Sequence, residues 1–128
     1  MNTTCKLMMT GALLCVTTFT ADAQGGSAGR EYPTSALIAP CRDADSDSRE
    51  AGTSAQIECE QYVLGFVDAL GAAGMSGPGK ATCPPTVNTG PEVRWALVRW
   101  VYGDYTARSK MPAAEALMQT LKESFPCK

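Results

Sequence analysis

Three features of this 128-residue chain have residue types that could do chemistry, and each lacks something its chemistry requires. Gly74-Met75-Ser76-Gly77-Pro78-Gly79-Lys80 has the G-x-x-x-x-G-K spacing of a phosphate-binding loop. Such a loop follows a strand, needs Ser or Thr after the lysine to hold magnesium, and opens a helix whose first amides face the phosphate. Here Ala81 follows the lysine, a helical pattern precedes the loop, and Pro84-Pro85 block the helix that should follow. Asp43-Ala44-Asp45-Ser46-Asp47 opens like a calcium loop. Its sixth position is Ser48, where glycine makes the turn, and its twelfth is Ser54, where a glutamate supplies two oxygens. The third feature is the cysteine set. With no histidine anywhere, Ser-His and Cys-His pairs are impossible. Asp68, the one acid well inside a helical pattern, reads as a boundary residue making hydrogen bonds rather than as a general acid. The sequence therefore points away from an enzyme, and it implies no cofactor and no metal.

What the cysteines do depends on the compartment. Lys6 precedes an apolar stretch from Leu7 to Val16, and Ala21-Asp22-Ala23 is an A-x-A cleavage signal. Residues 1–23 thus read as a signal peptide removed after Ala23. The apolar stretch falls short of the roughly 20 residues that span a bilayer. Leu14 is too bulky to precede a lipidated Cys15, so Cys5 and Cys15 leave with the signal. Cys41, Cys59, Cys83 and Cys127 remain. In an exported chain without histidine they read as two disulfides, each stabilising by about 2–4 kcal/mol. Net charge is −2 with both signs interspersed, and no second hydrophobic segment follows. Neither nucleic acid nor a membrane is an expected partner of the mature chain.

The elements that would position these residues are helical. Residues 24–34 are rich in glycine and charge and read as a flexible tail; residues 35–128 form one domain. Ala36 to Ala39 is a short apolar run ending at Pro40-Cys41, and the polar residues 42–54 read as a solvated loop. Cys59, Tyr62, Val63, Phe66, Val67, Leu70 and Ala73 recur at three- and four-residue steps, which predicts a helix over about 55–74. Gly65 in its middle suggests the close approach of another helix or a ring. Residues 74–90 hold too much glycine and proline for regular structure. Thr89-Gly90-Pro91-Glu92 reads as a capping box, and Val93, Ala96, Leu97, Trp100 and Val101 give the next helix its apolar stripe, ended or bent at Gly103-Asp104. A last helix starts at Pro112, buries Ala114, Leu117, Met118, Leu121 and Phe125, and ends at Pro126. The expected fold is all-α: a small disulfide-stapled bundle of three main helices plus a short N-terminal one.

Of the three possible connectivities, helix geometry disfavours Cys59–Cys83, because a helix roughly 25 Å long separates the two. Cys41–Cys59 with Cys83–Cys127 is preferred, and Cys41–Cys83 with Cys59–Cys127 stays open. Aromatic residues concentrate at Trp95, Trp100, Tyr102 and Tyr105, beside Arg94, Arg99 and Arg108. Trp100 fits the core, whereas Trp95 is out of phase with it. Exposed Trp and Tyr with arginine make a protein-binding composition. The partner-contacting residues expected are Trp95 and Arg99 on that edge, with Ser76 and Lys80 on the glycine-rich loop.

Cys59-x-x-Tyr62-x-x-Gly65-x-x-Asp68-Ala69, Cys83-Pro84-Pro85, Pro112-Ala113, Ala116-Leu117, Leu121 and the terminal Phe125-Pro126-Cys127 occur in one ordered set. With the short lead-in Leu37 to Cys41, this set resembles the Rap/Tai-type immunity proteins, over about residues 35–127. The resemblance implies a small helical periplasmic protein, a homodimer, that binds a peptidoglycan amidase effector of type VI secretion and blocks its cleft. The glycine-rich loop 71–82 and Tyr102-Gly103-Asp104-Tyr105 depart from the pattern. A second expectation is a periplasmic structural or stress-related helical protein with no toxin partner.

Overall fold

A computed structural model describes residues 31–44 and 49–128. The expected signal peptide, most of the expected tail, and Asp45 and Asp47 of the acidic loop lie outside them. Chain order is α1 (Thr34–Asp43), α2 (Arg49–Ala72), α3 (Thr89–Gly103), the single-turn α4 (Tyr105–Arg108) and α5 (Ala113–Ser124). Among the described residues there is no strand, only isolated bridges at Pro33 with Pro112 and Ser76 with Thr82. The fold is all-α, as the periodicities imply.

The core is where the four longer helices meet. Leu37, Ile38 and Cys41 of α1 interdigitate with Cys59, Val63 and Leu70 of α2, with Val93, Leu97 and Val101 of α3, and with Ala113, Ala116, Leu117 and Leu121 of α5. Helix α1 packs on α2, α3 and α5, so this shortest of the four is the central strut. It runs on past Pro40 to Asp43 instead of stopping there. Two tertiary ties hold that last turn. Cys41 is bonded to Cys59, and buried Arg94 donates from Nη1 to the Cys41 carbonyl at 3.1 Å.

The N-terminal approach to α1 is also tied. Ala113 N donates to the Tyr32 carbonyl at 2.8 Å, and Thr34 donates from N and from Oγ1 to the Met111 carbonyl at 2.9 and 2.8 Å. Thr34 is fully buried. The end of the segment expected as a tail is thus part of the bundle, because its backbone completes the start of α5.

Helix α2 begins six residues before the expected 55, inside the segment expected as a solvated loop. Its first turns carry no apolar stripe and Thr53 and Ser54 are exposed, so there was no periodicity to reveal them. At the other end Gly74 adopts φ +65°, Met75 N donates to the Leu70 carbonyl and Gly74 N to the Gly71 carbonyl, at 2.8 and 3.0 Å. These two bonds are a Schellman stop. Gly65 is exposed, and a Cβ there would meet nothing within 4 Å. The close approach expected at Gly65 does not occur among the described residues.

The start of α3 differs from the expected capping box. Asn88 caps with φ 53° and makes no side-chain cap bond, while the Thr89 hydroxyl donates to the Pro85 carbonyl at 2.7 Å. The threonine fastens the preceding loop instead of the helix amides. Asp104 ends α3 and caps α4, its carboxylate accepting from Ala107 N at 3.3 Å. In α5 the buried small residues are Ala113 and Ala116, on either side of the expected Ala114, which is exposed.

Candidate functional site

Both preferred disulfides form: Cys41–Cys59 and Cys83–Cys127, each with a Cα separation of 4.9 Å. The first locks α1 to α2. The second ties the loop after α2 to the segment after α5, where Cys83 N also donates to the Phe125 carbonyl at 2.8 Å. None of these cysteines is a free nucleophile. Among the described residues no group of His, Cys, Asp or Glu is placed to hold a metal ion, and no helix is long and apolar enough to cross a membrane.

The phosphate-loop spacing folds into a closed turn. Gly77 N donates to the Thr82 carbonyl at 2.8 Å and Lys80 N to the Gly77 carbonyl at 3.0 Å. Gly77 and Gly79 take φ of 109° and 78°, which only glycine adopts freely. Two of the amides a phosphate would need are therefore spent within the loop. Lys80 is exposed and Ser76 half-buried in this loop.

Trp95 and Arg99 lie together on α3, with Tyr102 one turn further, at the i, i+4, i+7 positions of one helical face. Val93, Ala96, Leu97 and Val101 bury the opposite face, so the row is aimed away from the bundle. Trp95 is 49% exposed and Tyr102 46%. Tyr105 on α4 continues the row, stacked on Tyr102 with ring centroids 5.4 Å apart. This is exposed aromatic surface next to a cation, fixed on rigid elements.

The three arginines that the sequence groups together have separate jobs. Arg94 is 4% exposed and holds the end of α1; its guanidinium also lies 4.8 Å from the Trp95 ring. Arg108 is half-buried, stacks 4.1 Å from the Trp100 ring and donates to the Trp100 carbonyl. Trp100 itself packs against the core, as expected. Arg99 alone of the three is exposed. On α1, Arg42 bonds to Asp43 at 2.6 and 3.0 Å, and this bonding is the main cause that pushes its guanidinium above its ordinary range. Asp43 is correspondingly held below the usual carboxylate range by Arg42.

Ser76 and Lys80 belong to a different region, the loop after α2. The structure therefore divides the expected contact residues between two surfaces. Asp68 differs from expectation as well: it is exposed and makes no hydrogen bond or ion pair among the described residues. Tyr105 belongs to the aromatic concentration that the sequence shows around Trp95, Trp100 and Tyr102; its stacking on Tyr102 across the break between α3 and α4 is what the structure adds.

A family model described as Rap1a immunity proteins matches residues 34–127 of the chain. No curated protein and no solved structure gives a significant match.

Proposed function

This chain belongs to the Rap1a immunity protein family, and from that premise we propose that it is a periplasmic immunity protein that binds and sterically occludes a peptidoglycan amidase effector of type VI secretion. The observation that carries the proposal is the outward row of Trp95, Arg99, Tyr102 and Tyr105 on α3 and α4. Trp, Tyr and Arg are the residues that dominate binding energy at protein interfaces. Exposing them on a small stapled bundle has no use for the fold itself, because the core closes without them. The frame behind the row is rigid, so little conformational entropy is lost on docking. Catalytic equipment is not needed for such a role.

Localisation is part of the same proposal. Export through the segment 1–23 would place the chain where disulfides persist, and two disulfides support that compartment. A homodimer is the assembly the family resemblance implies, and light scattering on the purified chain tests it.

The deciding experiment pairs this chain with the candidate amidase encoded beside its gene. The purified chain should abolish cleavage of peptidoglycan by that enzyme at equimolar ratio. Trp95→Ala and Arg99→Ala should each weaken inhibition by at least tenfold while unfolding at the wild-type temperature. An amidase that remains active under saturating wild-type chain would sink the reading and favour the structural or stress-related alternative.

A further inference from the structure

Beside the C-terminal half of α2 lies a groove of about 530 Å³. Leu64, Val67 and Asp68 line it from the helix, and Pro78, Pro84 and Pro85 face them from the returning loop. It is separate from the aromatic row on α3, and nothing in the proposed occlusion requires it.

The groove is built rather than incidental. Its loop wall is anchored at both ends: by Cys83–Cys127 with the Cys83 amide bond to Phe125, and by the Thr89 hydroxyl bond to Pro85. Prolines at three wall positions restrict the backbone further. A partner entering this site would not have to order it first.

Its chemistry is one-signed. The walls are mainly apolar, and Asp68 is the only charged side chain among the lining residues. That carboxylate has no hydrogen bond or ion pair among the described residues. An apolar trough with one unmatched carboxylate fits a side chain with a hydrocarbon stem and a cationic head, which describes lysine and arginine. A nucleic acid or an acidic segment would meet the wrong charge. We propose that this groove takes a lysine- or arginine-tipped loop of the partner protein, with the stem between Val67 and Pro84 and the charge on Asp68. This deepens the immunity reading by naming the chemistry of the partner's contact, and it rests on that reading for the existence of a protein partner.

The test uses the full mature, oxidised chain labelled for NMR and three cyclic heptapeptides. The peptides are identical except for one central residue, lysine, norleucine or glutamate, flanked by leucines. The lysine peptide should shift amides of residues 64–71 and 84–86 and bind at least tenfold tighter than the other two. Asp68→Asn should bring the lysine peptide down to the norleucine level without changing the unfolding temperature. The proposal is overturned if no peptide binds, if all three bind alike, if the shifts fall on α3 around Trp95, or if Asp68→Asn changes nothing. Self-association that Asp68→Asn abolishes would also overturn it, assigning the groove to a second copy. Amidase inhibition is read separately. A chain that inhibits its amidase but ignores the peptides loses the groove and keeps the function. A chain that selects the lysine peptide but inhibits no amidase keeps the groove and loses the function.

Discussion

Replacing Gly65 by alanine should stabilise this protein. Gly65 sits mid-way along α2 in helical conformation, is exposed, and has open space where a Cβ would be placed. No steric cost opposes the substitution, so the propensity difference between glycine and alanine should come through nearly whole, about 0.8–1 kcal/mol. For a domain of this size that corresponds to a rise in Tm of roughly 3–8 °C. The assay is thermal and urea unfolding of the oxidised chain from Gln24 onward, followed by circular dichroism at the helix band. Gly103 provides the contrast. A Cβ there would lie 3.1 Å from Arg108 Nη1, the group that donates to the Trp100 carbonyl. Gly103→Ala must displace that guanidinium and should give no comparable gain. If Gly65→Ala lowers Tm, the space beside α2 is filled in solution, and the reasoning fails. If the gain appears in isolation but binding to the amidase weakens, the bare turn at Gly65 is where a partner's backbone approaches.

Three further outcomes are expected. Removing Cys83–Cys127, which closes a sequence separation of 44, should cost about 4 kcal/mol in the chain-entropy model, and removing Cys41–Cys59, separation 18, about 3 kcal/mol; unfolding of the paired Cys→Ser variants checks both. Leu97→Ala, at a fully buried position of α3, should destabilise by about 2–5 kcal/mol, read as a drop in the urea midpoint without a change in slope. Burial raises the Tyr62 phenol above its ordinary value of 10.0. The folded state therefore holds that proton longer than the unfolded chain does, so the contribution is intact below the ordinary value and is lost as pH rises through the folded one. Stability should fall on the alkaline side, and Tyr62→Phe should make that fall shallower, measured as unfolding free energy against pH.

Helix identity was legible because it is local. Each of the long helices carries an apolar face at three- and four-residue spacing, and Gly74, Gly103 and Pro126 stand near their ends whatever lies around them. The disulfide pairing was also accessible, since a rigid helix between Cys59 and Cys83 limits what can meet. Periodicity reports burial rather than helicity, so the polar first turns of α2 stayed hidden. The capping box failed for a related reason: Thr89 had a second acceptor, the Pro85 carbonyl, which only the returning loop brings within reach.

The contact surface was legible in part. Trp95 and Arg99 share a helical face by spacing alone, and their exposure follows from the phase of the buried stripe. That Arg94 is structural while Arg99 is exposed depends on where α1 ends, because the Cys41 carbonyl is what draws Arg94 inward.

Taken alone, the sequence determined an all-α stapled bundle, and a family membership carried by cysteine, glycine and proline spacing. These are properties of single segments and of their order along the chain. Tertiary structure alone decided that, among the described residues, Gly65 faces open space and Asp68 has no partner, and that a proline-walled groove stands beside Asp68. Each of these depends on distances between segments far apart in sequence, and those distances are set by how the four longer helices close around α1.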